Sequence, residues 1–364
     1  MALMSTRALN RATLYRQLLL RREVMPAKDA VAHLLGLQAQ NTKPPYYQLW
    51  SRLEGFDPQE LSGLLQRREA VRIVTMRSTI HLHTADDALT LRPLVQAARD
   101  RELAAFRKGL VDVDLDRLAE LARSLVEEQP RTMKEIREQL LTRWPDADPS
   151  ALSIAARCRL PLVQVTPRGL WGRSGQVALT TIERWLDRKP EPVPTPDATV
   201  LRYLRAFGPA SVMDMQKWAG LTRLGEVFER LRPQLMTFQD VNGVELFDLP
   251  DAPRPDQHTP APPRFLPEYD NLLLAHADRT RVIPAEYRGR NGTGNQTFGS
   301  FLVDGFLAGI WRQKEYRGAV TLQIDPFARL GRDDRAALVA EGERLVREMS
   351  GVTARDVSFG AFRD

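Results

Sequence analysis

Residues 235–249 read LMTFQDVNGVELFDL, which is two runs of alternating apolar and polar residues on either side of Asn242-Gly243. An Asn-Gly pair between such runs is a strong signal for a β-hairpin, because both residue types tolerate the positive φ angles of a tight turn. Three stretches with helical periodicity precede the hairpin. They are residues 198–207, 211–219 and 223–234. The segment therefore predicts three helices followed by a β-hairpin.

The same order of elements occurs twice more, closer to the N-terminus. In the first copy the helical patterns cover residues 27–40, 45–53 and 58–67, and the strand-like runs are VRIVTM (71–76) and TIHLHT (79–84). In the second copy the helical patterns cover residues 116–128, 132–144 and 151–159, and the strand-like runs are LVQVTP (162–167) and VALTT (177–181). Three helices and a β-hairpin make a winged helix. The sequence thus predicts three tandem winged-helix units, residues 1–110, 111–190 and 191–255.

The remaining residues, 256–364, have a different pattern. Residues 301–313 and 319–326 are strand-like, and residues 333–349 have the periodicity of an amphipathic helix. Proline-rich stretches that mark domain boundaries occur at residues 189–197 and 250–264. We predict an α+β fold in which the three units are followed by a small β-rich C-terminal domain with one long helix.

The composition is that of a folded, water-soluble protein. Apolar residues make up 43% of the chain and charged residues 27%, which excludes wholesale disorder. No stretch of about 18 residues is free of charge, and the apolar run at 18–20 is too short for a secretory signal. The single cysteine, Cys158, excludes an internal disulfide and a metal cluster held by thiolates. We therefore expect a soluble, cytoplasmic protein without membrane contact.

Positive charge is concentrated in the first third of the chain. Residues 1–110 hold 17 Lys and Arg against 10 Asp and Glu, whereas the remaining 254 residues hold 35 against 36. A basic segment of this kind favours an anionic partner, most simply a nucleic acid. Arginines outnumber lysines 45 to 7. The guanidinium suits phosphates and base edges, although a GC-rich genome also favours arginine.

Most familiar catalytic motifs are missing from the sequence. There is no Walker A loop, no G-x-S-x-G and no H-E-x-x-H, and the glycines at 289–294 neither follow a clear strand nor open a helix. His81 and His83 share one face of a predicted strand, but no third ligand is near them in the sequence. We therefore expect neither a metal site nor an organic cofactor.

Two glutamines remain as candidates for chemistry. Gln38 and Gln40 stand at the end of the first predicted helix, followed by the residues Asn-Thr-Lys-Pro-Pro. On a regular helix the two carboxamides would point about 200° apart. They could share one pocket only if the helix loosens there, which the prolines favour. The alternative is a polar helix end whose side chains cap its own carbonyl groups.

Several segments resemble one known family. They are LLGLQAQ (34–40), PPYYQLWSRL (44–53), TMRSTIHLHTADD (75–87), FLPEYDNLLLAHADRTRVI (265–283) and FLVDGFLAGIWR (301–312). These segments are similar to the winged-helix DNA glycosylases that include the AlkZ-like and YcaQ-like bacterial proteins. The similarity extends from about residue 7 to about residue 350 and agrees with the count of three winged-helix units.

This resemblance implies a monofunctional DNA glycosylase that removes N7-alkylated purines from duplex DNA. The implied lesions are bulky adducts or interstrand crosslinks, and the implied role is self-resistance to a DNA-alkylating natural product. Gln38 and Gln40 match the Gln-x-Gln catalytic signature of the AlkZ-like branch. An N7-alkylated guanine is a cation, so the enzyme needs mainly to stabilise the sugar cation and to position a water. Such an enzyme is expected to be a monomer that acts at the nucleoid.

Further residues are expected to bind DNA. Lys43 follows the two glutamines and is a candidate phosphate contact rather than a Schiff-base nucleophile. Arg77, Thr79 and His81 belong to the first wing and would contact phosphate or sugar if the wing folds back over its own unit. The alternative is that these three residues serve the packing of the wing.

A basic, glycine-rich segment at residues 278–296 carries further candidate DNA contacts. Its arginines are Arg279, Arg281, Arg288 and Arg290. Glycine lowers the steric cost of unusual backbone angles and raises the entropy lost on ordering. We predict a mobile hairpin or loop that becomes ordered on DNA and reaches into a groove. The alternative is an ordinary solvated connection.

A second class of function is compatible with the same fold. Helix-turn-helix content alone also describes a non-catalytic transcription regulator. A regulator would be a dimer with a preference for DNA half-sites. A glycosylase would be monomeric, tolerant of sequence and able to generate abasic sites.

Overall fold

The computed structural model describes residues 2–190, 195–293, 296–352 and 354–360. A strand and a helix that the sequence patterns did not predict begin the first unit: β1 (Ala2–Met4) and α1 (Thr6–Arg16). Helix α1 begins after Ser5, whose side chain accepts a hydrogen bond from the backbone N–H of Ala8.

After α1, the first unit contains three helices followed by two strands. These elements are α2 (Ala27–His33), β2 (Leu37–Gln38), α3 (Pro44–Arg52), α4 (Pro58–Gln66), β3 (Ala70–Val74) and β4 (Ile80–Thr84). Strands β3 and β4 form an antiparallel hairpin. Two further helices lead to the next unit: α5 (Ala85–Leu94) and α6 (Gln96–Ala104).

The second and third units repeat this order of helices and strands. The second contains α7 (Leu115–Glu128), α8 (Met133–Arg143), α9 (Pro149–Arg159), β5 (Leu162–Gln164), β6 (Leu179–Thr181) and a short α10 (Ile182–Leu186). The third contains α11 (Asp197–Phe207), α12 (Val212–Ala219), α13 (Gly225–Leu231), β7 (Met236–Asp240) and β8 (Glu245–Asp248). The predicted elements of these two units all lie within a few residues of the observed ones.

The prediction of a helix from 27 to 40 is wrong at its C-terminal end. Helix α2 stops at His33 because Leu35 and Gly36 have φ angles of 56° and 91°, which leave the right-handed helical region. The N–H of Gly36 donates to the carbonyl of Val31, at 2.9 Å, and so closes the helix end.

Residues 37 and 38 form a short strand instead, and the chain bends at Gln40. A Cβ at Gly36 would lie 2.2 Å from Nδ1 of His83, so the chain can approach β4 only with glycine at this position. Strand β2 pairs antiparallel with β4 and brings Gln38 opposite His81. The angular separation expected for a helix therefore does not apply to Gln38 and Gln40.

The C-terminal part is a β-sheet with one long helix. Its elements are β9 (Arg264–Leu266), β10 (Gly292–Thr293), β11 (Gln296–Thr297), β12 (Gly299–Val303), β13 (Phe306–Tyr316), β14 (Ala319–Pro326), α14 (Arg332–Met349) and β15 (Ala354–Phe359). This part shares one apolar core with the first unit, since Phe265, Trp311 and Leu345 cluster with Tyr46 and Trp50.

Two of the sheets contain strands from different units. Strands β2-β4-β3-β5-β6 form one sheet that unites the hairpins of the first two units, with Arg72 opposite Gln164. Strand β1 adds in parallel to β7, and the C-terminal sheet has the order β15-β14-β13-β12-β9. The molecule is thus a mixed α+β protein. Neither the 18-residue α14 nor another helix within the described ranges is long and apolar enough to cross a membrane.

Buried ion pairs connect the N-terminal third to the rest of the chain. Two of them are fully buried, with distances of 2.6 and 2.8 Å: Arg16 with Asp248 and Arg52 with Asp270. Arg22 pairs with Glu341 in a largely buried position, whereas Arg7 and Arg11 share the exposed carboxylate of Asp304. Five arginines of the first 110 residues are therefore paired with four carboxylates from the rest of the chain. The charge asymmetry of the sequence overstates the positive charge available to a partner.

Candidate active site

Gln38 is fixed through its backbone by two side chains from other elements. Its N–H lies 3.4 Å from Oδ1 of Asn271, and its carbonyl accepts a hydrogen bond of 3.0 Å from Nε2 of Gln48. Asn271 also donates from Nδ2 to the carbonyl of Gly36, at 2.7 Å. Asn271 belongs to residues 265–283, which carry part of the family resemblance, but its role was not predicted. Strand β2 is thus held at a defined position.

The carboxamide of Gln38 is held by Arg77. Nη2 of Arg77 donates to Oε1 of Gln38 at 2.7 Å. Arg77 and Ser78 form the turn between β3 and β4, with φ angles of 52° and 59°. Nη1 of Arg77 donates to the carbonyl of Trp218, near the end of α12. The turn between β3 and β4 therefore packs against the third unit and places the Arg77 guanidinium beside the candidate catalytic residue.

Positive charge accumulates next to this contact. Burial lowers the pKa of Arg77 to about 10, and the charge of Arg279 acts in the same direction. The guanidinium of Arg77 still carries its proton at neutral pH. Arg279 is half-buried, and its side chain forms no ion pair with the residues that the structure describes. It is one of the predicted DNA contacts that lies close to Gln38 and Arg77.

His81 is a neutral neighbour of Arg77. Its Nε2 lies 3.3 Å from Nη2 of Arg77, and its Nδ1 lies 3.0 Å from the carbonyl of Thr79. Arginine can only donate, so Nε2 accepts and the proton resides on Nδ1. Burial lowers the pKa of His81 well below its usual value and that of His83 to about 4. The two rings stack, and no group of three possible metal ligands occurs among the described residues.

Gln40, unlike Gln38, is exposed, and Arg72 holds the backbone on either side of it. Nη2 of Arg72 donates to the carbonyl of Ala39 at 2.8 Å, and Nη1 donates to that of Asn41 at 3.3 Å. The remaining donor, Nε, contacts Oε1 of Gln164 at 3.1 Å. Burial lowers the pKa of Arg72 to about 10. Sequence reasoning missed Arg72, although a lone arginine in the apolar run 70–74 was a signal for it.

The other predicted DNA contacts are spread around this centre. Lys43 is exposed at the start of α3, and its ammonium forms no hydrogen bond or ion pair within the described ranges. The hydroxyl of Thr79 donates to the carbonyl of Met76, which is an internal turn contact. Arg288 is exposed, and the guanidinium of Arg290 stacks on the ring of Phe327 at 4.7 Å.

The prediction of a mobile loop at 278–296 is wrong for its first part. Arg281 is buried, where it donates to the carbonyl of Pro209 at 2.7 Å, and Val282 and Ile283 belong to an apolar core. Burial keeps the Arg281 guanidinium away from an exposed DNA-binding surface. Strands β10 and β11 form a hairpin, as the segment suggested. Residues 294 and 295 lie outside the described residues.

The arrangement offers hydrogen bonds rather than acid–base groups. Arg77, Asn271 and Gln48 hydrogen-bond to Gln38, and the N–H of Ile80 donates to Oε1 of Gln40 at 3.4 Å. No carboxylate among the described residues hydrogen-bonds to either carboxamide. The carboxylate of Glu268 contacts the neighbouring Asn41. The site is therefore suited to positioning a water and a labile bond, and less suited to protonating a leaving group.

Helix–hairpin units around such a site, with exposed cations near it, are typical of proteins that act on nucleic acids. The sequence model of the family described as "DNA glycosylase AlkZ-like" matches residues 31–347. The chain belongs to this AlkZ-like DNA glycosylase family. It is therefore an enzyme of DNA repair whose substrate is DNA, and the alternative of a non-catalytic regulator is wrong.

One solved structure is similar over almost the whole chain. It is the Streptomyces sahachiroi DNA glycosylase AlkZ, with 20% sequence identity and a TM-score of 0.81. The alignment covers 99% of this chain and 100% of that one. At this identity the likeness concerns the fold. No curated protein matches the sequence.

Proposed function

We propose that this glycosylase hydrolyses the N-glycosidic bond of N7-alkylated purines in duplex DNA, with Gln38 and Gln40 as the catalytic residues. The observation that carries the proposal is the fixation of the Gln38 carboxamide and of the backbone that carries Gln40. Arg77 holds the carboxamide of Gln38, and Arg72 holds the backbone on both sides of Gln40. Rigidly held polar groups suit the cleavage of a bond that is already weak.

The proposed reaction needs little more than a positioned water. Alkylation at N7 makes the purine a cation, so the base leaves as a neutral molecule when the bond between C1′ and N9 breaks. The electron pair of that bond goes to the base, and positive charge develops on the sugar. Oε1 of Gln40 accepts from the N–H of Ile80 at 3.4 Å and has a second lone pair. That lone pair accepts a hydrogen bond from the water that attacks C1′, and the water proton is released to solvent. Gln38 retains its NH₂ group as a donor because Arg77 occupies its Oε1.

The absence of an ionised base at the carboxamides has a consequence for specificity. The enzyme is expected to release cationic N7-alkylpurines and to leave neutral bases such as uracil in place. In this proposal Lys43 contacts a phosphate and the nucleophile is water, so no covalent lysine intermediate forms. We therefore expect an abasic site without strand cleavage.

For DNA binding we propose that the three helix–hairpin units act as winged-helix units and cradle the duplex. Lys43, Arg279, Arg288 and Arg290 would contact phosphates, whereas Arg77, Thr79 and His81 would position the catalytic pair from behind. The enzyme would work as a monomer at the nucleoid. In the cell it would remove bulky adducts or interstrand crosslinks, as self-resistance to a DNA-alkylating natural product. A cavity beside Gln40 has room for such a group.

A direct assay tests the proposal. Purified protein is incubated with duplexes that carry N7-methylguanine or a bulky N7 adduct, and alkaline cleavage then reveals abasic sites. We expect strand breaks at the lesion only after the alkaline step. A matched duplex with uracil should give none. Intact binding without product from any N7 adduct would refute the assignment.

A further inference from the structure

A cavity of about 250 Å³ opens beside Gln40, between the first and second units. One side is formed by the ends of β3 and β4, with Val74 and Ile80. The other side is formed by Met133 at the start of α8 and by Val177, just before β6. These four apolar residues are all partly exposed. The cavity is therefore an apolar opening at the surface next to the candidate catalytic residue.

The charged groups of this cavity have one sign. Arg72, Arg92 and Arg157 line it, and neither aspartate nor glutamate does. Arg72 and Arg92 use their guanidinium groups within the protein, since Arg92 donates to Gln96 and to the carbonyl of Cys158.

Arg157 differs from these two arginines. Its guanidinium forms no hydrogen bond or ion pair in the described part of the chain, and its Nε is buried without a partner. An unpaired buried donor is costly. Because the buried Nε is closed to the cavity, the terminal nitrogens Nη1 and Nη2 are the donors that Arg157 can offer to a bound group.

We propose that this cavity binds the substituent carried by the purine N7, and that it selects a bulky, apolar group without positive charge. The inference rests on the proposed function, because Gln40 both lines the cavity and would contact the reacting nucleotide. A cavity of about 150 Å³ accommodates a benzene ring, so this one accommodates a ring-sized substituent with a linker. A carbonyl or hydroxyl oxygen on that group would accept from Arg157, and a substituent amine would be repelled.

The first test compares single-turnover excision of N7-methylguanine, N7-(2-phenylethyl)guanine and N7-(2-aminoethyl)guanine from the same duplex. Val177→Phe should fill the cavity and lower the rate ratio of phenylethyl to methyl adduct about tenfold. Val111→Phe is the matched control, because Val111 is exposed and lies outside the cavity. It should leave the ratio at the wild-type value. An unchanged ratio in folded Val177→Phe would overturn the proposal.

A charge variant provides an independent test. Arg157→Glu removes an unpaired guanidinium and should raise excision of the aminoethyl adduct relative to the phenylethyl adduct about tenfold. Equal ratios in Arg157→Glu and wild type would also count against the cavity as the substituent site. Failure of the proposed function looks different, since wild-type protein would then release none of the three bases, including N7-methylguanine.

Discussion

Arg77 and Gln38 are joined by a hydrogen bond of 2.7 Å from Nη2 to Oε1, although one residue is in a tight turn and the other in a short strand. Arg77→Met should remove this bond and free the carboxamide to rotate. We expect single-turnover excision of N7-methylguanine to fall by about 10- to 100-fold, because the orientation of one catalytic group is lost.

Arg101→Met is the control for this variant. Arg101 also donates to a backbone carbonyl near the end of α12, that of Gly220, but it does not touch Gln38. It should retain nearly wild-type excision. Equal losses in the two variants would mean that Arg77 acts by anchoring α12 and not through Gln38.

Alanine substitution should separate the two glutamines by their effects on stability. Both Gln38→Ala and Gln40→Ala should lose excision by about 10- to 1,000-fold. Gln40 is exposed, so Gln40→Ala should melt like wild type. Gln38→Ala leaves a donor of Arg77 unpaired and should reduce the free energy of unfolding by about 1–3 kcal/mol. Full activity in both variants would make the carboxamides structural, and Gln59→Ala, an exposed glutamine on α4, is the control.

Arg72 should act as a positioning residue for Gln40. Arg72→Lys keeps a positive charge but lacks the planar fork that contacts two carbonyls and Gln164. The rate of base excision by bound enzyme should fall about 10- to 100-fold, while the Kd for undamaged duplex stays the same. A lower melting temperature with an unchanged excision rate would instead indicate a purely structural role.

Local sequence signals were sufficient for the hairpin at 235–249. Strands β7 and β8 flank the predicted turn, and Gly243 has a φ angle of 82°. Asp240 stabilises this turn because its carboxylate accepts from the N–H groups of Asn242 and Val244, at 2.8 Å each. All of these interactions occur within five residues. Sequence patterns can predict structure that depends on contacts between residues so close in sequence.

The strand at Gln38 could not be predicted from local sequence signals. Helical periodicity continues past His33, but strand β2 forms because β4 and Asn271 pair with it. Asn271 is more than 200 residues away in sequence, so no local pattern contains this contact. Leu35, with its positive φ angle, is also an unusual residue at a helix end. The proposal that Gln38 and Gln40 form a catalytic pair therefore came only from the resemblance to a family.

The excess of Lys and Arg in residues 1–110 also could not predict which charges are available at the surface. Counting residues treats each arginine as available to a partner, whereas Arg16 and Arg52 are fully buried against Asp248 and Asp270. These acids lie beyond residue 240. Part of the positive charge counted in the N-terminal third is therefore paired with negative charge counted in the rest of the chain. The prediction of a nucleic-acid partner was correct. The positive charge available to that partner, however, has to be inferred from residues that are exposed and unpaired in the structure.

Exposed and unpaired cations should determine the salt dependence of DNA binding. The affinity for undamaged duplex should fall steeply with salt, because each phosphate contact releases a counterion. Lys43→Gln and Arg288→Gln should each reduce the slope of log K against log salt by about 0.9. Arg117→Gln is the control, since Arg117 is paired with Glu120 on α7. A wild-type slope near zero would contradict a DNA-binding surface.

Buried neutral histidines should make the fold sensitive to mild acid. Burial lowers the pKa of His33 below its usual value, that of His81 well below it, and that of His83 to about 4. In the unfolded chain these groups titrate near pH 6.5. Below that pH the unfolded state therefore binds more protons than the folded state, and stability falls as the pH falls from about 6.5 towards 5.

The urea midpoint of unfolding, measured at pH 7.5, 6.5, 5.8 and 5.0, tests this expectation. Each such histidine can contribute at most about 1.4 kcal/mol per pH unit. His258→Gln should keep the wild-type pH dependence because His258 is exposed. His81→Asn should reduce the dependence, since one group that must stay neutral is then absent. A midpoint that is constant from pH 7.5 to 5.0 would show that these imidazoles already accept protons in the folded protein.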